Sequence, residues 1–125
     1  MLALETLGEA AMDRVELVRG TLDVMILKAL TWGPKHGYAV TRWVSDTTEG
    51  RLDIVEGALY PALHRLEKRG LVTSEWGVSE NNRQARFYRI TADGRRQLRS
   101  ETAAWQEYVQ LLGLVLGRSP LEEAR

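Results

Sequence analysis

The side chains best suited to bind a ligand lie between His64 and Arg99, where basic residues outnumber acidic ones. This window holds nine Lys and Arg residues and four acids, a net charge of +5, although the whole chain has a net charge of zero. Residues 1–50 hold five basic and seven acidic residues, a net charge of −2. Such a concentration of cations in a neutral chain indicates a local phosphate-binding surface. Arg95, Arg96 and Arg99 are at least as well explained as the solvated face of a helix.

Residues suited to catalysis are sparse. His36 and His64 are the only histidines, and no acid or nucleophile lies near either one at a catalytic spacing. There is no cysteine, which excludes disulfides and thiol nucleophiles. The sequence contains no Gly-rich phosphate loop, metal-ligand spacing or nucleophile elbow. We therefore predict a binding protein that is not an enzyme and uses neither a metal nor another cofactor.

Length and composition fit one small domain with an additional helix for dimerisation. The chain has 125 residues, of which 44% are apolar, and this is enough for a packed core. A domain of this size buries only a modest share of its surface, so pairing with a second copy would stabilise it. No apolar run reaches the roughly 18 residues of a membrane span, and residues 1–14 lack the features of a secretory signal. We expect a cytoplasmic protein that does not associate with membranes.

Hydrophobic periodicity predicts several helices in the first half of the chain. Thr21 is the expected cap of the second helix, and Gly33-Pro34 ends it. One further short strand is expected at Leu52–Val55. The predicted helices are Leu2–Val18, a helix that starts after Thr21, Tyr38–Thr47 and Glu56–Arg69.

The segment Glu56–Ile90 predicts a short helix followed at once by a β-hairpin. Leu59, Leu63 and Leu66 form a core stripe on the helix, and Gly70 ends it. Pro61 either kinks this helix or indicates that regular helix begins later. The predicted strands are Leu71–Trp76 and Ala85–Ile90, with a polar turn at Gly77–Gln84 between them. A helix followed by a hairpin with a basic tip is the layout of a winged helix-turn-helix, which predicts binding to duplex DNA.

The outward face of the predicted Glu56–Arg69 helix supplies the first set of candidate DNA contacts. Its small residues allow close approach of the backbone, the Tyr60 hydroxyl can donate to a phosphate, and Arg65 can pair with guanine in bidentate fashion. Tyr60 could instead pack under the wing, and His64 could belong to a solvated face. The candidates on this helix are Ala58, Tyr60, Pro61, His64, Arg65 and Lys68.

A second set of candidates lies in the hairpin and in the preceding helix. The segment Asn81–Arg86 has amides and arginines and no acid, which favours contact with phosphates or a minor groove over an ordinary polar loop. Tyr38 and Thr41 begin the helix that crosses the DNA backbone in a helix-turn-helix; a core or interface role is the alternative for Tyr38. The hairpin candidates are Asn82, Arg83, Gln84 and Arg86.

The last helix, about Ala92–Leu116 with Thr91 as its cap, carries a heptad seam. Additional apolar residues beside the seam predict self-association. Trp105 either fills the core of a dimer or forms the wall of a slot for a planar aromatic ligand. The seam positions, our candidate dimerisation residues, are Leu98, Thr102, Trp105, Val109, Leu112 and Leu116.

Five motifs in order resemble the PadR family of bacterial transcriptional regulators: GTLDVMILKAL, GPKHGYAV, GALYPALHRLEKRGLV, SEWG and FYRIT, followed by a long helix. The resemblance implies a winged helix-turn-helix, a homodimer formed through the last helix, and repression from a palindromic operator. It places the LYPALHRLEKRGL helix in the major groove and the Arg83–Arg86 region on the neighbouring backbone. Some members sandwich a planar ligand with a Trp in the last helix, and Trp105 has a similar position.

The expected organisation follows from these assignments. The fold class is mainly α with a small β-hairpin. Residues 1–16 form an N-terminal helical extension, 17–91 the winged helix-turn-helix, 92–117 the dimerisation helix and 118–125 a tail. Met1–Ala11 either embraces the partner subunit or reflects start-codon choice, since Met12 is a natural start. The expected function is a homodimeric repressor; a ligand sensor and a protein-interaction module without DNA affinity are the alternatives.

Overall fold

The computed structural model describes residues 20–118, which form four helices and a three-stranded antiparallel sheet. The predicted N-terminal extension and residues 119–125 of the tail lie outside the described residues. The elements are α1 Leu22–Leu30, β1 Lys35–His36, α2 Gly37–Thr47, α3 Glu56–Lys68, β2 Val72–Val78, β3 Gln84–Ile90 and α4 Ala92–Leu116.

The core lies between α1, α2, α3 and the base of the hairpin. The predicted stripe of α3 is confirmed: Leu59, Leu63 and Leu66 are almost completely buried. Tyr88 and Ile90 of β3 are buried in the same cluster. Since α3 and the hairpin share one core, the orientation of the wing depends on α3.

Helix α3 runs through Pro61 without interruption. The proline has no N–H to donate to residue 57, and the space around that position is open, because a Cβ added at Gly57 would meet nothing within 4 Å. Amides of Ala58 and Leu59 both donate to the Val55 carbonyl, so the helix begins where it was predicted. Gly70 follows the helix with φ 74°, a left-handed conformation that favours glycine.

The strands of the hairpin are longer than predicted, and its turn is shorter. β2 continues through Gly77 to Val78, and β3 already begins at Gln84, with Val78 paired to Gln84. A Cβ at Gly77 would lie 2.8 Å from the Phe87 ring. The glycine therefore allows β2 to continue beside this aromatic ring, where the sequence had suggested a turn.

The predicted strand at Leu52–Val55 is wrong. The third strand is instead Lys35–His36, which pairs with Tyr88 and Phe87 of β3. The Leu52 amide donates to the Thr48 hydroxyl at 3.0 Å, so a side chain satisfies this part of the backbone. Residues 52 and 54 then pack as irregular chain against the core.

Of the two predicted helix caps one is confirmed and one is not, and a third helix has a cap that the sequence did not predict. Thr21 occupies the N-cap of α1, but its backbone is helical (φ −91°, ψ −15°) and its side chain makes no capping hydrogen bond. Helix α2 is capped by His36, whose Nδ1 accepts from the Ala39 amide at 3.2 Å. The predicted cap of α4 is confirmed, because the Thr91 hydroxyl accepts from the Gly94 amide at 3.0 Å.

Helix α4 packs on the domain only at its start. Gly94 and Leu98 are buried, whereas the described part of the helix from Tyr108 onward is exposed. A Cβ at Gly94 would lie 2.2 Å from the Leu71 carbonyl oxygen, so this glycine permits the close contact between α4 and the hairpin base. The exposed apolar residues of the second half are Tyr108, Val109, Leu111, Leu112, Leu114, Val115 and Leu116.

Candidate nucleic-acid interface

A polar cleft of about 850 Å³ separates the N-terminal end of α2 from the wing. Tyr60 of α3 also lines it. The cleft brings together residues from β1, α2, α3 and the hairpin turn, far apart in sequence. The side chains with polar or charged groups that line it are Lys35, His36, Tyr38, Arg42, Asp46, Tyr60, Ser79, Glu80, Asn81, Arg83, Gln84 and Arg86.

Two tyrosines expose their rings to this cleft. Tyr38 is 61% exposed and Tyr60 is 45% exposed, so neither belongs to the core. Tyr60 lies against Gly37, where an added Cβ would come within 2.8 Å of the Tyr60 hydroxyl oxygen. Because Gly37 has no side chain, Tyr60 can pack against the start of α2 while its hydroxyl remains in the cleft. Both hydroxyls are suited to donate to a phosphate oxygen.

His36 is a cleft residue that the sequence did not single out as a contact. Besides capping α2, its ring lies edge-to-face with Phe87, with centroids 5.3 Å apart. It also stacks with Tyr38 at 6.3 Å. His36 thereby connects the start of α2 with β3. Its sequence context, a histidine before a glycine, gives no strong capping signal, because Ser, Thr, Asp and Asn are the preferred N-cap residues.

Arg65 is directed away from the cleft, towards α1. Its Nη2 lies 3.3 Å from Asp23 Oδ1, and Arg69 Nη1 lies 3.9 Å from the other oxygen of the same carboxylate. One acid of α1 therefore holds Arg65 of α3 and Arg69, the residue that directly follows this helix. The partners of Asp23 lie 42 and 46 positions away along the chain, which local spacing cannot reveal.

The other predicted residues of α3 lie on the helix surface outside the cleft. Pro61, His64 and Lys68 are exposed, and Ala58 is partly buried. Thr41 of α2 is partly buried, and its hydroxyl donates to the Tyr38 carbonyl at 2.7 Å. Among the α3 candidates, Tyr60 alone lines the cleft in the part of the chain that the structure describes.

The wing carries Arg83 at a well-defined turn. The Ser79 amide donates to the Arg83 carbonyl at 2.8 Å, and the Asn82 amide donates to the Ser79 carbonyl at 2.9 Å. Asn82 has φ 59°, a left-handed conformation that asparagine tolerates well. The turn leaves the side chains of residues 81–84 exposed, and Arg83 and Gln84 line the cleft.

Arg86 is held by a chain of polar contacts that reaches α3. Its Nε donates to the Ser74 hydroxyl at 2.9 Å, and that hydroxyl donates to Glu67 Oε2 at 2.5 Å. The guanidinium also lies over the Trp76 ring, 5.5 Å from its centroid. Burial raises the pKa of the neighbouring Tyr88 hydroxyl, and the negative charge of Glu67 raises it further.

A second, mainly apolar groove of about 660 Å³ lies between α1, α2 and α4. Trp43 and Trp105 line it, together with Leu98 and Thr102. The Trp105 ring also lies edge-to-face with Tyr108, with centroids 5.7 Å apart. Of the predicted seam, Leu98 is buried and Trp105 partly buried, whereas Val109, Leu112 and Leu116 are exposed.

Within residues 20–118, the structure contains no helix long and apolar enough to cross a membrane.

The four helices and the small antiparallel sheet form a winged helix-turn-helix followed by a long C-terminal helix. A model of the PadR-like transcriptional regulator family matches residues 26–100, more than half of the chain. The chain belongs to this family of DNA-binding transcriptional regulators. The expected family and fold class are thus confirmed.

Several known proteins resemble the chain. A PadR family transcriptional regulator from Eggerthella lenta is 30% identical, with a TM-score of 0.70 over 94% of this chain and 95% of that one. A transcriptional regulator from Clostridium thermocellum is also 30% identical, with a TM-score of 0.70 over 76% and 92%. A transcriptional regulator of Mycobacterium tuberculosis is 38% identical over 73 residues, which make up 58% of this chain and 54% of that protein.

Proposed function

We propose that the chain is a homodimeric repressor that binds a palindromic operator through α3 and the polar cleft. The observation that carries this proposal is the convergence of the start of α2, Tyr60 and the wing arginines on one cleft. Hydroxyl, amide and guanidinium donors from separate elements suit the phosphates of a duplex. Such a regulator would act in the cytoplasm, where the DNA of a prokaryote lies.

The contacts divide into two kinds. Tyr38, Tyr60, Arg83 and Arg86 face the cleft and would bind the phosphate backbone. This would fix the position of the protein on the duplex without reading its sequence. Base edges would be read by the exposed face of α3 in the major groove. That face offers Ala58, Pro61, His64, Lys68 and, once released from Asp23, Arg65.

The exposed second half of α4 supports the dimer. Isolated apolar residues on a surface are ordinary, but seven large ones within residues 108–116 form an extended patch. Burial of this patch against the same helix of a second copy would place two α3 helices on half-sites about one helical turn apart. In this arrangement residues 17–91 are the DNA-binding domain and residues 92–117 are the dimerisation helix.

The proposed function is tested by mobility shifts with duplexes from the promoter of the protein's own gene. We expect binding that weakens steeply as salt rises, because the cationic side chains displace condensed counterions. Analytical ultracentrifugation of the same sample should give a dimer. Absence of any shift at low salt would contradict the DNA-binding role and favour a protein-interaction module. Repression is tested by transcription from the bound promoter, which should fall when protein is added.

The groove beside Trp105 favours a second function, binding of a small planar ligand. Its apolar lining and its two indoles are suited to an aromatic ring. Planar aromatic compounds should then quench the tryptophan fluorescence, and Trp105→Phe should reduce this effect. Equal quenching in the wild type and in Trp105→Phe would place the ligand elsewhere.

A further inference from the structure

The polar chain from α3 to Arg86 has a specific geometry. Glu67 lies near the end of α3, Ser74 lies on β2 and Arg86 lies on β3. The Ser74 hydroxyl donates to Glu67 Oε2 at 2.5 Å and accepts from Arg86 Nε at 2.9 Å. Since its single proton points at Glu67, the Ser74 oxygen presents its lone pairs to Arg86.

This arrangement leaves one side of the Arg86 guanidinium for a ligand. Nε is bound by Ser74, and the planar group lies over Trp76. The same arginine lines the cleft with Tyr60, Arg83 and Gln84. Among residues 20–118, no acceptor contacts the two Nη groups of Arg86. These two groups form a planar fork that can donate in parallel to two oxygens of one phosphate.

We propose that Glu67 and Ser74 are positioning residues that orient the Arg86 guanidinium for a DNA phosphate. The inference rests on the proposed function and deepens it, because it assigns a role to two residues that touch no DNA. Fixing the fork before binding lowers the conformational entropy that Arg86 loses when it meets the phosphate. The chain of hydrogen bonds from Glu67 through Ser74 to Arg86 also connects the wing to α3. The phosphate contact of Arg86 and the helix in the major groove therefore keep a fixed position relative to each other.

Ser74 is the better residue for a test. Loss of the Glu67 charge would strengthen attraction to DNA generally, and this would oppose any loss of positioning. Ser74→Ala removes one hydroxyl and changes no charge. Ser74→Thr retains the hydroxyl on a strand that accommodates β-branched residues. Thr73→Ala is the matched control, since it removes a hydroxyl from the adjacent exposed residue on the opposite face of β2.

The experiment measures duplex affinity as a function of salt for these variants, in the wild-type background and with Arg86→Ala. We expect Ser74→Ala to weaken binding about 5- to 10-fold in the wild-type background, the scale of one ordinary hydrogen bond. The same change should cost less than about 2-fold when Arg86 is absent, because no guanidinium remains to be oriented. Ser74→Thr and Thr73→Ala should bind like the wild type.

Each possible result either supports or overturns the positioning role of Ser74. An equal loss in both backgrounds would show that Ser74 acts through general folding of the wing and would overturn the positioning role. Full-strength binding of Ser74→Ala would also overturn it while leaving the proposed function intact. If the wild type binds no duplex at all, the proposed function fails, and the positioning role fails with it.

Discussion

Arg65 of α3 is bound to Asp23 of α1, with 3.3 Å between Nη2 and Oδ1. The contact is partly exposed, so it contributes at most about 1 kcal/mol to stability. Its larger consequence is for the proposed recognition of DNA, in which Arg65 is the arginine of α3 expected to pair with guanine. In that proposal Arg65 must first leave Asp23 to reach a base.

Asp23→Asn should therefore strengthen DNA binding. The change releases Arg65 and Arg69 and removes one negative charge beside α3, so we expect affinity to rise about 3- to 10-fold at low salt. Thermal unfolding should change little. Asp93→Asn, at the start of α4, is the control and should leave affinity nearly unchanged. Weaker binding by Asp23→Asn would show that the ion pair holds Arg65 in its productive position.

Gly37→Ala should weaken DNA binding through Tyr60. A Cβ at this position would lie 2.8 Å from the Tyr60 hydroxyl oxygen and 3.0 Å from two ring carbons, so the ring must move. We expect an affinity loss of roughly 5-fold, typical of one displaced hydrogen bond. In a Tyr60→Ala background the same change should have little effect. Equal losses in both backgrounds would indicate that Gly37 acts independently of Tyr60.

Arg83→Ala should lower both the affinity for DNA and its dependence on salt, while the dimer persists. Each lost phosphate contact reduces the slope of log affinity against log salt by about 0.9. Arg95→Ala is the control, because Arg95 is exposed on α4 and lies outside the cleft. An unchanged slope of log affinity against log salt for Arg83→Ala would show that the wing tip does not contact DNA.

Gly94→Ala should destabilise the fold by about 3 kcal/mol. The new Cβ would meet the Leu71 carbonyl oxygen at 2.2 Å and an Ile90 side-chain carbon at 2.7 Å, which forces α4 away from the hairpin base. Gly57→Ala, in open space on α3, should cost nothing and could gain up to about 1 kcal/mol. Urea unfolding measures both variants. Equal stability of the two would contradict the close contact.

We predict that the protein loses stability at alkaline pH, because the Tyr88 hydroxyl is deprotonated there. Burial, and then the charge of Glu67, raise the pKa of its hydroxyl above the ordinary value of 10.0. As pH rises through 10, the unfolded state loses the Tyr88 proton first, so stability present below that pH is lost as pH approaches the folded-state pKa. Between about pH 8 and pH 11, Tyr88→Phe should lose less stability than the wild type in urea unfolding. The exposed-residue variant Tyr108→Phe should follow the wild type.

Much of the fold was predictable because its signals are local. The stripe of Leu59, Leu63 and Leu66, the left-handed Gly70 and the Thr91 cap each follow from spacing or residue type within a few positions. The third strand was not predictable in this way, because Lys35–His36 joins the sheet through pairing with β3, about 50 residues later. Leu52–Val55 has the apolar character of a strand but packs as irregular chain.

The candidate site was predictable as a set of residue types rather than as a geometry. Tyr38, Tyr60, Arg83 and Arg86 were expected to bind DNA, and the structure places them around one cleft. The partners of the cations were not predictable. Asp23 meets Arg65 from another helix, and Ser74 meets Arg86 across the hairpin, because tertiary packing brings these pairs together.

The central claim is that two copies of this chain read a palindromic duplex through α3 and the polar cleft. It is tested most directly by selecting bound duplexes from a random DNA pool with the wild-type protein. We expect enrichment of a palindrome whose half-sites lie about one helical turn apart, and loss of that enrichment when His64→Ala and Arg65→Ala are combined on the base-reading face of α3. A pool that shows no enrichment with the wild type would contradict the claim.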